Sequence, residues 1–129
     1  MSAARFVVPL LCALCTTEAM ANCLIADRDD QQVTGRLAEL KITNEAYQRT
    51  ETAFILSLTE PACLQGESEY DKVEPTKRIH VFSMDGKIRR KLRASVGKTI
   101  RVKGAPFGEH TAHHHAPIVL NVTKVERVH

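Results

Sequence analysis

The sequence predicts a mostly β domain with one short helix, and three observations carry that expectation. Several short runs place a hydrophobic residue at every second position, the period of a half-buried strand. One stretch instead spaces Ile88, Leu92 and Val96 four apart, one helix turn per step, among Arg89, Arg90, Lys91 and Arg93. Turn formers punctuate the runs: Asp85-Gly86 precedes the helical stretch and Gly97 follows it as a C-terminal cap.

The chain opens with Arg5, an apolar run Phe6 to Cys15, and Ala19-Met20-Ala21. A charged start, a short apolar middle and small residues at the last and third-last positions predict a secretory signal peptide over 1–21, cleaved after Ala21. The run is too short to span a bilayer. Asn22 before Cys23 speaks against a lipid anchor, which wants a small residue there. A single domain, 22–129, is expected in a periplasmic or secreted location, without a transmembrane segment. Cleavage removes Cys12 and Cys15 and leaves Cys23 and Cys63. In an oxidising compartment such a pair is most simply a structural disulfide, whereas a redox or metal pair favours close spacing.

Taken in order, Val33 to Ile42 forms the first predicted strand. Val33 and Leu37 share one phase and Leu40 and Ile42 the other, so a bulge or bend is expected near Gly35 to Glu39; two short strands or a brief helix is the alternative. Thr43 to Thr52 reads as a loop. Ala53 to Leu58 is the second strand, with Phe54, Leu56 and Leu58 on one face, ended by Glu60-Pro61. Gln65 to Thr76 is a charged surface loop. Lys77 to Phe82 is the third strand, with Ile79 and Val81 inward and His80 outward. Thr99 to Gly104 is the fourth, with Ile100 and Val102 inward. Ile118, Leu120 and Val122 make the last core face.

Strand, strand, strand, helix, strand, strand, with a first strand that must bend, is the order of a small five-stranded OB-like Greek-key barrel whose helix sits between strands three and four. The run Gly97-Lys98-Thr99-Ile100-Arg101-Val102-Lys103-Gly104, then Thr111-Ala112-His113-His114-His115, with Cys63 just after the second strand, resembles an uncharacterised family of exported bacterial OB-like domains of unknown function. The resemblance covers most of the chain after the leader. It implies fold and compartment, and carries no activity.

Four of the six histidines, His110, His113, His114 and His115, lie in one polar loop before the last strand. If that loop is extended, His113 and His115 point to one side about 6.5–7 Å apart and His114 to the other. In an OB-like barrel His80 would lie beside them. His80, His110, His113 and His115 are thus candidate ligand or metal residues, with Zn or Cu the fitting ions and Glu109 a further donor. The alternative is that they cap the barrel end as hydrogen-bonding side chains. No fixed motif such as His-Glu-x-x-His is present, and no resident cofactor is expected.

Net charge is only +3, yet between Gly86 and Gly108 eight residues are basic and none acidic. Arg89, Arg90, Arg93, Arg101 and Lys103 are candidate anion-binding residues, drawing anions over about 8 Å in physiological salt. An exported chain rarely meets nucleic acid, so anionic lipid heads, cell-wall polymer or an acidic protein surface are the matching partners. A solvated helix face is the plainer reading. Gly97-Lys98-Thr99 lacks the earlier glycine of a phosphate loop, since Leu92 stands there. Asn121-Val122-Thr123 lies inside a predicted core strand. Ser57, Ser68, Ser83 and Ser95 sit in no nucleophile context, and Glu67 and Glu69 lie in a polar loop. The expected function is a non-catalytic binding module for an extracytoplasmic partner or small ligand. A metal-binding protein and an inhibitor or immunity protein are the alternatives.

Overall fold

Alternating apolar residues bury one side of an extended chain, and the computed structural model, which describes residues 23–129, is accordingly mostly β with one helix. The predicted leader, with Cys12 and Cys15, lies outside the described residues. The strands are β1 (Cys23–Ile25), β2 (Gln31–Asn44), β3 (Arg49–Gln65), β4 (Val73–Phe82), β5 (Thr99–Gly108) and β6 (Ile118–Arg127). Helix α1 (Gly86–Ala94) joins β4 to β5, and a single 3-10 turn, Glu69–Asp71, lies between β3 and β4. One six-stranded sheet results, in the order β1-β3-β2-β5-β6-β4, with β3 also paired to β4.

Sequence alternation predicts five strands. The sixth is β1, a three-residue segment lying parallel to the end of β3 with Cys23 opposite Cys63. These cysteines form the expected disulfide, with 4.3 Å between their Cα atoms, across a separation of 40 residues.

The first long strand differs from its expected form for a definite reason. Gln31 to Arg36 pair with β5 while Gly35 to Asn44 pair with β3, so β2 changes partner near Gly35 and both ladders keep a continuous register. A Cβ on Gly35 would collide with the Ser57 carbonyl, so the close approach requires glycine. Of the expected bulge or bend, the bulge does not form, since neither ladder shifts register. Leu40 and Ile42 simply lie on the other face of the strand, and Leu40 stays 38% exposed.

Several strands also outrun their apolar alternation. β2 and β3 extend into the predicted loop and leave only residues 45–48 as a turn. β3 continues past Pro61 to Gln65, and its register against β4 shifts between Ser57 and Ala62 and again before Leu64. A register shift is where a strand tolerates proline, which cannot donate to the ladder. β4 begins at Val73 rather than Lys77, and β5 runs on to Gly108 through a register shift after Lys103.

The core face holds Leu37, Leu56, Ile79, Val81, Ile100, Val102, Ile118, Leu120 and Val122, closed by Ile88 and Leu92 of α1. Asp85 caps the helix, its carboxylate accepting from the Lys87 N–H at 2.8 Å. The helix stops at Ala94, so Val96, expected on its apolar stripe, is 36% exposed, and Gly97 takes a left-handed φ of 84° beyond the end. Ala53, Ile55, Ala116 and Val119 are buried too, yet they lie outside this core cluster.

Replacing Cys23 and Cys63 together by alanine is expected to lower stability by about 4 kcal/mol on the chain-entropy model. Chemical denaturation with and without reductant checks this, and equal midpoints would refute it.

Candidate functional site

The second buried group explains itself from the strand register. Ile55 pairs with His80, His80 with Val119, and Val119 with Phe107, one row across β3, β4, β6 and β5 on the face away from the core. Two-residue alternation adds Glu51, Ala53 and Phe82 to that face. A sheet face this apolar has to be covered. Residues 109–117, between β5 and β6, cover it, and Ala116 of that segment is 4% exposed.

This segment is not the extended run that the sequence suggests. Its neck is closed by the Glu109 N–H donating to the Pro117 carbonyl at 3.0 Å, and it turns where the His114 N–H donates to the Thr111 carbonyl at 3.1 Å. The Thr111 hydroxyl reinforces the turn by accepting from the His113 N–H at 3.3 Å. His114 is therefore not set apart from its neighbours. Its ring centroid lies 4.8 Å from His110, 5.1 Å from Phe107 and 6.5 Å from His80, and His80 lies 5.5 Å from His115.

Hydrogen bonds fix the roles of the ring nitrogens. Nδ1 of His80 accepts from the His115 N–H at 3.3 Å. Nδ1 of His114 accepts from the N–H groups of His110 at 3.2 Å and Thr111 at 3.3 Å. A backbone N–H only donates, so both Nδ1 atoms are unprotonated and each proton sits on Nε2. His110 is the reverse: its Nδ1 lies 2.9 Å from the Gly108 carbonyl and must carry the proton. Glu51 reaches across from β3. Its carboxylate stands 3.1 Å from Nδ1 of His113 and 3.6 Å from Nε2 of His115, a buried nitrogen that makes no hydrogen bond.

Charge follows from this packing. Burial, then the neighbouring His115 and His114, pushes the His80 pKa down from 6.5 to about 4, with Glu51 opposing. Burial and then His110 also lower that of His114. Burial alone would raise the Glu51 carboxyl, but the His113 hydrogen bond and the charges of His113 and His115 hold it below the usual carboxylate range.

Two further members come from the connection read as a plain surface loop. Asp71, 4% exposed, accepts from the Gly108 N–H at 2.8 Å. A Cβ on Gly108 would sit on the Tyr70 carbonyl, so glycine lets the 3-10 turn close onto β5. That contact sets the Tyr70 ring 4.8 Å from His110. Glu51, Tyr70, Asp71, Phe82, Phe107 and His114 are the members that sequence reasoning missed. Their advance signals were the histidine run for His114 and the even spacing of Phe82 from His80.

His80 faces away from the core as expected, but it is buried, 9% exposed, rather than open at a rim. His110, His113 and His115 join the same cap. Among the described residues, no group of three histidine, cysteine, aspartate or glutamate side chains is arranged to hold a metal ion. The predicted anion-binding residues divide. Arg101 pairs with Glu126 at 3.8 Å, and Lys103 lines a shallow open cleft with Gln32, Lys124 and Glu126. Arg89 donates to the Met84 carbonyl at 3.1 Å, while Arg90 and Arg93 are exposed on α1.

Residues 78–126 match the family model of a domain of unknown function, DUF4431. No curated protein sequence matches the chain. The matched segment runs from the middle of β4 to the end of β6, so it holds His80, the whole histidine loop and Phe107, but not Glu51 or Tyr70.

Ile55→Ala is expected to cost about 2–4 kcal/mol, the range for a buried aliphatic side chain, although alternation marks the position as outward. A loss near zero in chemical denaturation would mean that the outer face is open. Because the fold holds His80 neutral while the unfolded chain protonates it near 6.5, its contribution is complete above about pH 6.5 and is lost as pH falls towards about 4. Thermal melts across that range check the slope.

Proposed function

We propose that the chain is an exported, non-catalytic binding module whose contact surface is the histidine and aromatic cap, flanked by the basic helix α1. The observation that carries the reading is where the polar atoms are used. Nδ1 of His80, His110 and His114 holds loop to backbone, while Tyr70, 49% exposed, and the exposed His110 turn ring faces outward. Such an arrangement favours contact over proton transfer. The buried hydroxyls of Ser83 and Ser95 likewise serve the backbone, at Asp85 and Lys91.

The scaffold in this reading is an OB-like Greek-key barrel. Its support is the cyclic pairing of β2 with β3, β3 with β4, β4 in parallel with β6, β6 with β5, and β5 with β2. OB modules commonly bind on their second and third strands and on the loops after the first and fourth. Here those are β3, β4, residues 45–48 and residues 109–117, the elements that carry Glu51, His80 and the histidine loop. That correspondence is an analogy of fold and names no ligand.

Export is supported by the leader pattern of 1–21 and agrees with a disulfide made in an oxidising compartment. The flank supplies attraction for anions: Lys87, Arg90, Lys91 and Arg93 form no ion pair among the described residues, whereas Arg28, Lys72, Arg101 and Lys124 do. The partner that fits is an extracytoplasmic molecule with an apolar or aromatic group for the cap and negative charge for the helix.

N-terminal sequencing of the protein recovered outside the cytoplasm is expected to begin at Asn22. A chain retained inside with its leader would overturn the export. Crosslinking the wild type in its own compartment and identifying the adduct supplies the partner. Tyr70→Ala with His110→Ala is expected to weaken that adduct at least about tenfold, a loss of hot-spot size. Arg90→Glu with Arg93→Glu should weaken it less and most at low salt. Full retention by both pairs would sink the contact surface.

A further inference from the structure

Resting on the binding face just described for what it uncovers, though not for its motion, we infer that residues 109–117 form an acid-released latch: the loop is closed while His80 and His114 are neutral and opens when their Nδ1 atoms take up protons.

Three backbone N–H groups of the loop, those of His110, Thr111 and His115, end on two imidazole nitrogens. An imidazolium has no acceptor, so protonation sets N–H against N–H at each contact. One of these bonds crosses from the loop to the sheet: His115 to His80, on β4. The other two fold the loop on itself around His114. Losing both sets removes the loop's backbone tie to β4 and two of the bonds that fold it around His114, leaving the Thr111 contacts and the Glu51 grip to hold it.

The surroundings decide the direction. His80 faces His114 and His115 from the loop and Glu51 from β3; its β6 register neighbour is Val119, and Phe82 stands 6.3 Å away on its own strand. His114 faces His110, His113, His115 and Glu109 from the loop and Phe107 from β5. Most of these neighbours are imidazoles, so each added proton repels the next. The charges opposing release are Glu51 and Glu109. Glu51 grips His113 and His115, and that grip strengthens when they charge, so it resists opening until acid overcomes it. An opened loop exposes both histidines to water, where they bind protons near their ordinary pKa. Protons therefore favour the open form from about pH 6.5 downward, the range in which histidine acts as a switch.

What the latch covers gives the motion a consequence. Ile55, Ala53 and Val119 are 5%, 2% and 0% exposed beneath or beside it. Phe107 and Phe82 lie in the same layer, 6.1 Å apart. Release converts a polar histidine surface into an apolar, aromatic one on β3, β4 and β6.

Amide hydrogen exchange of the whole exported chain, expressed as protection factors from about pH 7.5 to about pH 4.5, tests this without any partner. Protection of the His110, Thr111 and His115 amides is expected to fall at least about tenfold over that range, while the Leu56 and Ile79 amides, which exchange only on unfolding, lose protection with the His80 linkage but stay well above the loop. In His80→Asn with His114→Asn the amide oxygen stands near the place of Nδ1, accepts the same hydrogen bonds and does not titrate. Loop protection in that variant should stay level across the range. The latch is overturned by constant loop protection in the wild type, by the same pH curve in the asparagine variant, or by loop amides that stay as protected as those of the core strands at every pH. If that variant does not fold, the wild-type comparison of loop with core still decides. Failure of partner capture by the Tyr70 and His110 variants would remove the binding face and leave this result standing.

Discussion

A backbone N–H outside a strand or helix ladder must find an acceptor, and in the loop over the outer face of this domain three of them find imidazole nitrogens. Everything particular to the site follows from that requirement. The loop between β5 and β6 packs His114 against Phe107 and brings three of its amides to ring nitrogens. His80 and His114 meet them with unprotonated Nδ1 atoms. A loop of serines and glycines could turn as tightly, but it would present no broad ring surface to pack on the phenylalanines below.

The cap also depends on close approaches that only small residues allow. Gly108 lets the 3-10 turn meet β5 backbone to backbone, and Asp71 converts that contact into a hydrogen bond. Gly104 allows the same with β6, where a Cβ would strike the Asn121 carbonyl. Gly35 lets β2 serve two partners. The disulfide holds β1 beside β3 and supplies stability that a domain of this size gains only slowly from its core. The scaffold is thus rigid where the cap is mounted, and the cap itself is held by polar contacts whose strength depends on protonation.

Positive charge is arranged less evenly than the run of lysines and arginines implies. On β5 the cation Arg101 meets Glu126 on the neighbouring strand, and Arg89 turns back to the carbonyls before its own helix. On α1 the remaining cations face solvent, since the helix buries only Ile88 and Leu92. Exposed ion pairs contribute little to stability, so this distribution shapes the field around the molecule rather than the strength of the fold.

By itself the sequence determined the pairing of Cys23 with Cys63, the mostly β character, the single helix after Asp85-Gly86, and the core faces Ile79-Val81, Ile100-Val102 and Ile118-Leu120-Val122. Each of these rests on local periodicity or on a residue type with one common use, and both can be read along a chain. Strand lengths were legible only where alternation was apolar, because β2, β3 and β5 continue through polar residues and prolines on hydrogen bonds supplied by their neighbours. The cap was legible only in part. Four histidines in one loop marked the place, but period-two reasoning put His114 apart from His113 and His115, because it assumed an extended chain where Thr111 makes a turn. Tertiary structure alone decided that the loop folds back over the row from Ile55 to Phe107, that His80 is covered, and that Glu51 and Tyr70 join from distant segments. The physical reason is that burial of the outer face and the partner of each ring nitrogen are set by groups separated widely in the chain, which no local pattern records.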